Sequence, residues 1–255
     1  TSFAVPKGSE LRLDYAPAGF RSYLAVRGGI DVPSVLGSRS TYTPAKIGGL
    51  EGRALQQGDV LDVGSEHDPD MGHRKMQTHD IPVYESQITL RVLLGPQEDM
   101  FPAESIDTFF SGEYTITGEA DRVGYRLDGP KILHRDKAVI ISDALPMGAI
   151  QIPAHGMPII MMADRQTTGG YAKIGAVIGP DLSKLAQARP GDRVAMHRIT
   201  EQEAVAALRA ERQVYLRVIN SFSAEQEECL PEIKNEHCVV VNKVMYRVSI
   251  QEVFD

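Results

Sequence analysis

The sequence is poor in tryptophan, cysteine and aromatic side chains. It contains no tryptophan and two cysteines in 255 residues, and aromatic residues make up 6% of the chain. Cys229 and Cys238 lack the Cys-x-x-Cys partner of a zinc site, and a chain of this size does not need a disulfide to fold. We therefore interpret them as reduced thiols of a cytoplasmic protein, with a single disulfide between them as the alternative.

Long apolar runs and basic clusters are missing as well. The longest apolar stretches, such as residues 157–163, are much shorter than the roughly 20 residues of a membrane-spanning helix, so we expect no membrane association. A net charge of -7 without a Lys or Arg cluster disfavours nucleic-acid binding. The chain opens at Thr1 without a leader or an initiator Met, and we expect it to begin inside a longer reading frame. Its 42% hydrophobic and 24% charged residues are typical of a globular protein.

Short apolar segments punctuated by Gly and Pro predict a mainly β protein with a few helices, of the α+β class. Residues 1–85 are predicted to be a β-rich N-terminal subdomain that ends in a polar connection, residues 65–80. The predicted strands of this subdomain cover residues 11–15, 23–26 and 54–63. Three histidines recur in the connection at six-residue intervals: His67, His73 and His79. Because this spacing matches no zinc-binding pattern, we expect a solvated linker and no metal site.

Residues 86–212 combine strand and helix patterns and form the predicted second domain. The predicted strands cover residues 88–92, 114–117, 125–127, 138–142, 157–162 and 193–199. Pro102 fits the first turn of a short amphipathic helix. Asp181 fits the N-cap of a second helix. A capping box that starts at Thr200 opens a third helix, which we expect to end near Glu211.

Residues 213–255 differ in composition from the rest, and we interpret them as an atypical C-terminal segment. Residues 214–218 are predicted as a strand. Four acidic residues belong to a predicted loop: Glu225, Glu227, Glu228 and Glu232. Alternating apolar residues near the end of the chain predict a β-hairpin that turns at Asn242-Lys243.

The most unusual segment is Met162-Ala-Asp-Arg-Gln-Thr-Thr-Gly-Gly-Tyr171, where an apolar run stops in polar side chains and two glycines. Gly169 and Gly170 permit positive φ and a close approach of backbone N–H groups to an anion. Arg165 offers a planar fork for a carboxylate or phosphate, and Asp164 can orient that fork. The alternative is a glycine-rich hairpin in which Asp164 and Arg165 pair with each other at the surface.

Two further polar positions are candidates for a ligand site. Arg39 lies among hydroxyls and glycines, and Gln151 lies between apolar neighbours on a predicted strand. A structural turn and a half-exposed strand residue are the alternative interpretations. The sequence contains no Gly-x-Gly-x-x-Gly motif, no Walker phosphate loop and no Gly-x-Ser-x-Gly elbow. Neither nucleotide binding nor covalent hydrolysis is therefore predicted from a motif.

Six motifs occur in a fixed order: Tyr23-Leu-Ala-Val-Arg-Gly-Gly-Ile-Asp-Val-Pro33 with Leu36-Gly-Ser-Arg-Ser-Thr41, Gly48-Gly-Leu-Glu-Gly-Arg53, Gly95-Pro-Gln97, Ser142-Asp143, Gly148-Ala-Ile-Gln-Ile-Pro153 and the segment 162–171. Together they resemble the C subunit of the bacterial ATP-dependent 5-oxoprolinase, also called allophanate hydrolase subunit 2. The resemblance runs from about Leu11 to Ile199. The same family is similar to subdomains A and B of the carboxyltransferase part of urea carboxylase.

The resemblance implies a β-rich first subdomain joined to a cyclophilin-like β-barrel. It also implies an amidohydrolase subunit, inactive alone, that opens 5-oxoproline to glutamate in a complex with the B subunit of 5-oxoprolinase and a third subunit. ATP is then required at the level of the complex, and we expect no biotin because the biotin-bearing Met-Lys-Met is missing. The implied substrate-binding residues are Arg39, Gln151, Asp164, Arg165, Gln166, Thr167, Thr168, Gly169, Gly170 and Tyr171.

The alternative function is a non-catalytic binding module that regulates a sporulation-kinase inhibitor through protein–protein contact, since one member of the family is known in that role. Both functions use the same pocket. The sequence departs from the family pattern at Ala172, where a proline is expected after Gly-Gly-Tyr. We expect a less rigid loop at this point.

Overall fold

The computed structural model of the chain describes residues 1–65, 74–224, 236–241, 244–249 and 251–252, with side chains up to Phe222. Residues 66–73 of the histidine-bearing connection, the acidic loop and the turn at Asn242-Lys243 lie outside the described residues. The chain divides into two compact units. The smaller unit comprises residues 2–4 and 22–74, and the larger comprises residue 1, residues 5–21 and residues 75–255. The domain boundaries drawn from the sequence stay predictions.

The smaller unit is held by isolated β-bridges. Three bridges are formed: Ile30–Val63, Val35–Ser38 and Tyr42–Ile47. Positive-φ glycines turn the backbone repeatedly, and a Cβ at Gly28 would lie 1.9 Å from the carbonyl oxygen of Gly64. The strands predicted at residues 23–26 and 54–63 are not formed, because closely spaced turns leave no length for a continuous ladder. A 3-10 helix covers Thr43–Ala45.

All strands of the described chain belong to the larger unit. In chain order they are β1 (Ser9–Glu10), β2 (Gln87–Leu94), β3 (Glu113–Ile116), β4 (Gly124–Asp128), β5 (Val139–Ala144), β6 (Ala149–Gln151), β7 (Ile159–Met161), β8 (Thr168–Tyr171), β9 (Lys173–Val177), β10 (Arg193–Arg198), β11 (Glu236–Val241), β12 (Val244–Ser249) and β13 (Gln251–Glu252). The α-helices are α1 (Ala103–Ser111), α2 (Gly179–Ala186) and α3 (Glu201–Ala224). Further 3-10 helices cover Thr78–Asp80 and Glu98–Met100. Residues 11–15, predicted as a strand, follow β1 without forming one.

Seven strands close into a barrel in the order β10-β2-β9-β6-β7-β4-β3. β10 and β2 are parallel, and the other neighbours in the barrel are antiparallel. Three two-stranded sheets accompany it: β1 with β13, β5 with β8, and β11 with β12. The prediction of a mainly β protein with few helices is confirmed, and β11 with β12 forms the hairpin expected near the C-terminus.

The hydrophobic core fills the barrel. On β2, Ile88, Leu90 and Val92 are buried and alternate with more exposed residues, as one face of a strand requires. Phe109 of α1 belongs to the same core cluster and is 0% exposed. Burying such a side chain stabilises the fold by about 1.5–3 kcal/mol. α1 starts directly after Pro102, where the sequence predicted a short helix.

Asp181 has a different role from the predicted N-cap. α2 begins at Gly179, after Ile178, because Pro180 suits the first helical turn. Asp181 therefore lies inside the helix, and its side chain is 0% exposed. The Nε and Nη2 atoms of Arg91 donate to its carboxylate at 2.9 and 2.8 Å, and Lys184 lies 2.8 Å away. This buried ion pair attaches α2 to β2.

α3 is twice as long as predicted. Its capping box forms as expected, since the backbone N–H of Thr200 donates to Glu203 Oε2 at 2.7 Å. The helix then continues to Ala224, so the predicted end near Glu211 and the predicted strand at 214–218 are wrong. No Gly or Pro interrupts residues 201–224, and Arg217 of the last turns binds the buried Asp80 at 3.0 Å. Among the described helices, none is long and apolar enough to cross a membrane.

We expect Asp181→Asn to lower the free energy of unfolding by about 2–3 kcal/mol, because it weakens charge-assisted hydrogen bonds from Arg91 and Lys184. The measurement is urea unfolding at neutral pH. Asp136→Asn is the matched control, because Asp136 is exposed. Equal midpoints for the two variants would contradict a stabilising role of the buried pair.

The pH dependence of this effect has a defined sign. Burial acts to raise the pKa of the Asp181 carboxyl, but hydrogen bonds from Arg91 and Lys184 outweigh it and hold the pKa below the ordinary 3.8. Asp181 therefore stabilises the fold fully above pH 3.8, and this contribution disappears as the pH falls through the lower folded-state pKa. We expect Asp181→Asn to have a flatter stability curve than wild type on the acid side. Parallel curves would show that Asp181 does not titrate in this way.

Candidate functional site

A two-stranded arm stands beside the barrel and forms one wall of the candidate site. The arm consists of β5 and β8, which pair with each other in antiparallel register, with Asp143 opposite Gly169. β8 leads through the buried Ala172 directly into β9 of the barrel. The arm is therefore fixed to the barrel at the start of β9, where Lys173 lies.

Lys173 is a buried cation at the junction of the arm and the barrel. The residue is 5% exposed, and its Nζ donates to Asp143 Oδ2 at 2.7 Å and to the carbonyl oxygen of Ala144 at 3.1 Å. Gln97 connects both charged residues. Its Nε2 donates to Asp143 Oδ2 at 3.3 Å, and its Oε1 accepts the backbone N–H of Lys173 at 3.4 Å.

The electrostatics of the site follow from this pairing. The hydrogen bond from Lys173, then that from the backbone N–H of Ala144, holds the pKa of the Asp143 carboxyl below its ordinary 3.8. Asp143 is therefore a carboxylate at neutral pH. A lysine ammonium has three N–H donors, and the described residues supply two acceptors within hydrogen-bond distance of it. The third donor suits an oxygen atom of a ligand.

An open groove of about 700 Å³ lies next to the pair. It is lined by Gln97, Met100, Lys137, Val139, Ile140, Ile141 and Asp143. The wall is mainly apolar, and the polar groups of Gln97 and Asp143 belong to the network around Lys173. A concave apolar surface with a few convergent polar groups is typical of a small-molecule site.

Gln151 borders the same network from the barrel side. It is the last residue of β6, it is 6% exposed, and it lies opposite Lys173 on β9. Its Nε2 is buried without a hydrogen-bond partner among the described residues. A Cβ at Gly169 would lie 2.5 Å from that nitrogen, so β8 packs directly on the carboxamide. The structure thus brings together Gln151 and Gly169, two of the residues that the sequence proposed for the site.

The polar segment before β8 has other partners than predicted. Asp164 binds Arg122 through two hydrogen bonds of 2.7 and 2.9 Å and does not orient Arg165. Arg165 donates from Nε to the carbonyl oxygen of Leu145 at 2.8 Å and from Nη1 to that of Met162 at 3.3 Å. Its guanidinium thus holds two backbone segments together. The surface pairing of Asp164 with Arg165, considered as the alternative, is not formed either.

The remaining predicted residues of this segment lie on or next to β8. The side chains of Gln166, Thr167 and Thr168 are exposed, and Tyr171 is 42% exposed. The glycine pair belongs to the strand, and neither glycine has positive φ, so the predicted anion-binding nest is not formed. Extended backbone is favoured at the two glycines because β8 pairs with β5.

Arg39 belongs to the smaller unit. Its Nη2 lies 3.4 Å from Asp31, and both side chains are more than half exposed. Its assignment to a substrate site stays a prediction.

Three residues of the network were not among the sequence-based candidates: Gln97, Asp143 and Lys173. Two signals pointed to them. Gln97 and Asp143 lie in short motifs of the family resemblance, Gly95-Pro-Gln97 and Ser142-Asp143. Lys173 interrupts an apolar strand between Ala172 and Ile174, and a lysine at a buried strand position requires a partner.

The sequence profile of the carboxyltransferase domain, subdomain A and B, matches residues 1–198. The chain belongs to this family. Within it, the Haemophilus influenzae protein named as the C subunit of 5-oxoprolinase is 36% identical over 226 residues, and the Escherichia coli protein of the same name is 38% identical over 209 residues. These alignments cover 88% and 82% of this chain, and 70% and 65% of the two relatives.

Solved structures of the family have the same fold. The crystal structure of the Kluyveromyces lactis urea carboxylase matches with a TM-score of 0.70 at 29% identity. The match covers 86% of this chain and 20% of the yeast protein. The chain thus corresponds to one part of a much larger enzyme in that organism and to about two thirds of its bacterial relatives.

We expect the midpoint of the Asp143 carboxyl titration to lie below 3.8 and to rise in Lys173→Met, because the largest cause of the lowered pKa is then removed. The measurement is the pH dependence of the side-chain carboxyl ¹³C chemical shift. Lys137→Met is the matched control, since it removes a lysine that lines the groove beside Asp143 and leaves the hydrogen bonds of Asp143 intact. An identical Asp143 midpoint in wild type and Lys173→Met would contradict the ion pair.

Proposed function

We propose that this chain is one component of an ATP-dependent 5-oxoprolinase and that the groove beside Lys173 and Asp143 is part of its substrate site. The observation that carries the proposal is the ion pair of the buried Lys173 with Asp143, whose side chain lines an open groove, in a chain whose bacterial relatives are named as the C subunit of 5-oxoprolinase. The B subunit of 5-oxoprolinase and a third subunit complete the complex. We expect the complex to act in the cytoplasm on a cyclic amide and to release glutamate.

The chemistry of 5-oxoproline suits this groove. The molecule is a five-membered lactam with a ring carbonyl, a ring N–H and a carboxylate. Lys173 offers a donor for an oxygen atom, and Asp143, whose side chain is 49% exposed, offers an acceptor for an N–H or for a water molecule. Val139 and Ile141 provide apolar contact for the ring methylenes.

Lactam opening requires stabilisation of negative charge on the carbonyl oxygen. A preorganised cation in a site with little water stabilises such a charge more strongly than it does in bulk water. Lys173 meets this requirement because Asp143 and Ala144 hold its Nζ in place. Transfer of a phosphoryl group from ATP to that oxygen makes the ring carbon more electrophilic. Because this chain has no recognised nucleotide motif, the ATP requirement belongs to the complex.

We expect the purified chain alone to release no glutamate from 5-oxoproline, and the chain with its two partner subunits to do so only with ATP. In that complex, Lys173→Met is expected to lower kcat by about 10²-fold or more, the usual effect of removing one charge-stabilising donor. The measurement is coupled detection of glutamate and ADP.

Lys131→Met is the matched control, because Lys131 is an exposed lysine away from the groove lining. Its turnover is expected to equal that of wild type. ATP-independent turnover by the single chain, or full activity of Lys173→Met in the complex, would contradict the proposed function.

A further inference from the structure

The carboxamide of Gln151 is an unusual buried group between β6 of the barrel and β8 of the arm. Its Nε2 is buried and has no acceptor among the described residues. Gln151 as a whole is 6% exposed. Leaving a buried donor unsatisfied costs about 1–3 kcal/mol, and the large majority of buried polar atoms in native proteins have partners. An apolar side chain of the same length would avoid this cost. The glutamine therefore requires an explanation outside the packing of the barrel.

The backbone around Gln151 aims its side chain toward the Lys173 network. The pairing of β6 with β9 changes register between Ile150 and Gln151, which is the irregularity of a β-bulge. Bulges re-aim side chains and are common next to active sites. After the bulge, Gln151 lies directly opposite Lys173, and such cross-strand pairs place their Cβ atoms about 4.5–5.5 Å apart on one face. Two donors from neighbouring strands are thus directed to one region.

Gly169 completes the surroundings of this amide. A Cβ at position 169 would lie 2.5 Å from Gln151 Nε2, whereas a Cβ at position 170 would have its nearest neighbour at 3.7 Å. Neither glycine has positive φ, so backbone conformation does not explain the glycine at position 169. The missing side chain lets β8 pack directly on the carboxamide, which any Cβ at position 169 would displace. Asp143, the partner of Lys173, lies opposite Gly169 on the arm.

We propose that Gln151 is a substrate-recognition residue whose Nε2 donates a hydrogen bond to the carbonyl oxygen of the substrate amide, beside the ammonium of Lys173. This inference rests on the proposed function. A carbonyl oxygen has two lone pairs and accepts from both donors at once. Because β8 belongs to the arm, a small displacement of β8 admits the ligand without breaking a strand pair of the barrel. Gln151 then distinguishes a cyclic amide from a ring acid that has no carbonyl group in its ring.

The test compares two probes with the full chain by isothermal titration calorimetry: 5-oxoproline and cyclopentanecarboxylate, which keeps the ring and the carboxylate but lacks the amide. Wild type is expected to bind 5-oxoproline about tenfold more tightly, the effect of one or two net hydrogen bonds. In Gln151→Met the preference is expected to fall to about twofold or less. The melting temperature of Gln151→Met is expected to equal or exceed that of wild type, because the variant removes an unsatisfied polar atom.

A second pair of variants keeps the test valid if Gln151→Met does not fold. Gly169→Ala displaces the carboxamide and is expected to lose the preference, whereas Gly170→Ala has space for its methyl group and is expected to keep it. A lowered melting temperature of Gln151→Met together with an unchanged preference would show a purely structural glutamine and overturn the inference, with the proposed function intact. If wild type binds neither probe, the substrate site itself is wrong and both proposals fall.

Discussion

The ion pair of Lys173 with Asp143 is the interaction on which the candidate site depends. A buried ammonium is unfavourable unless hydrogen-bond acceptors replace its water, and here Asp143 and Ala144 on β5 supply them. Those acceptors belong to the arm, whereas Lys173 belongs to the barrel. The need to neutralise one buried charge therefore positions the arm, and with it the wall of the groove.

The need to neutralise Lys173 explains why polar groups surround the end of β6 and the start of β9. Gln97 spans the pair by accepting from the backbone of Lys173 and donating to Asp143, so the carboxylate has little freedom to rotate. Breaking a buried ion pair by removing one partner is far more destabilising than the pair is stabilising relative to apolar residues. A network of this kind is weak evidence for stability and stronger evidence for function.

The sequence predicted the elements whose signals are local. Alternation along β2, the proline before α1 and the capping box of α3 each depend on neighbouring residues, and the structure has these features. The length of α3 was not predicted, because β-branched Val214 and Val218 resemble a strand, whereas in the structure both are half-buried residues of the helix. The strands of the smaller unit were overpredicted, since glycine turns decide whether extended segments pair over more than one residue.

The residues of the site were predicted only in part for a related reason. Arg165 and Asp164 have the chemistry of an anion site, but backbone carbonyls and Arg122 meet them in the fold, and such partners are distant in sequence. The apolar neighbours of Lys173 indicate its burial, but its partner Asp143 lies 30 residues away in the sequence, and no local pattern shows that pairing. Gln151 was a candidate because it stands among apolar residues, and the structure adds that its donor is unsatisfied.

A crystal structure of the full chain soaked with 5-oxoproline tests most directly whether the Lys173–Asp143 pair belongs to a substrate site. We predict ligand density in the groove beside Asp143, with an oxygen atom of the ligand within hydrogen-bond distance of Lys173 Nζ. Ordered density at another surface, with the Lys173–Asp143 groove occupied by water alone, would contradict it.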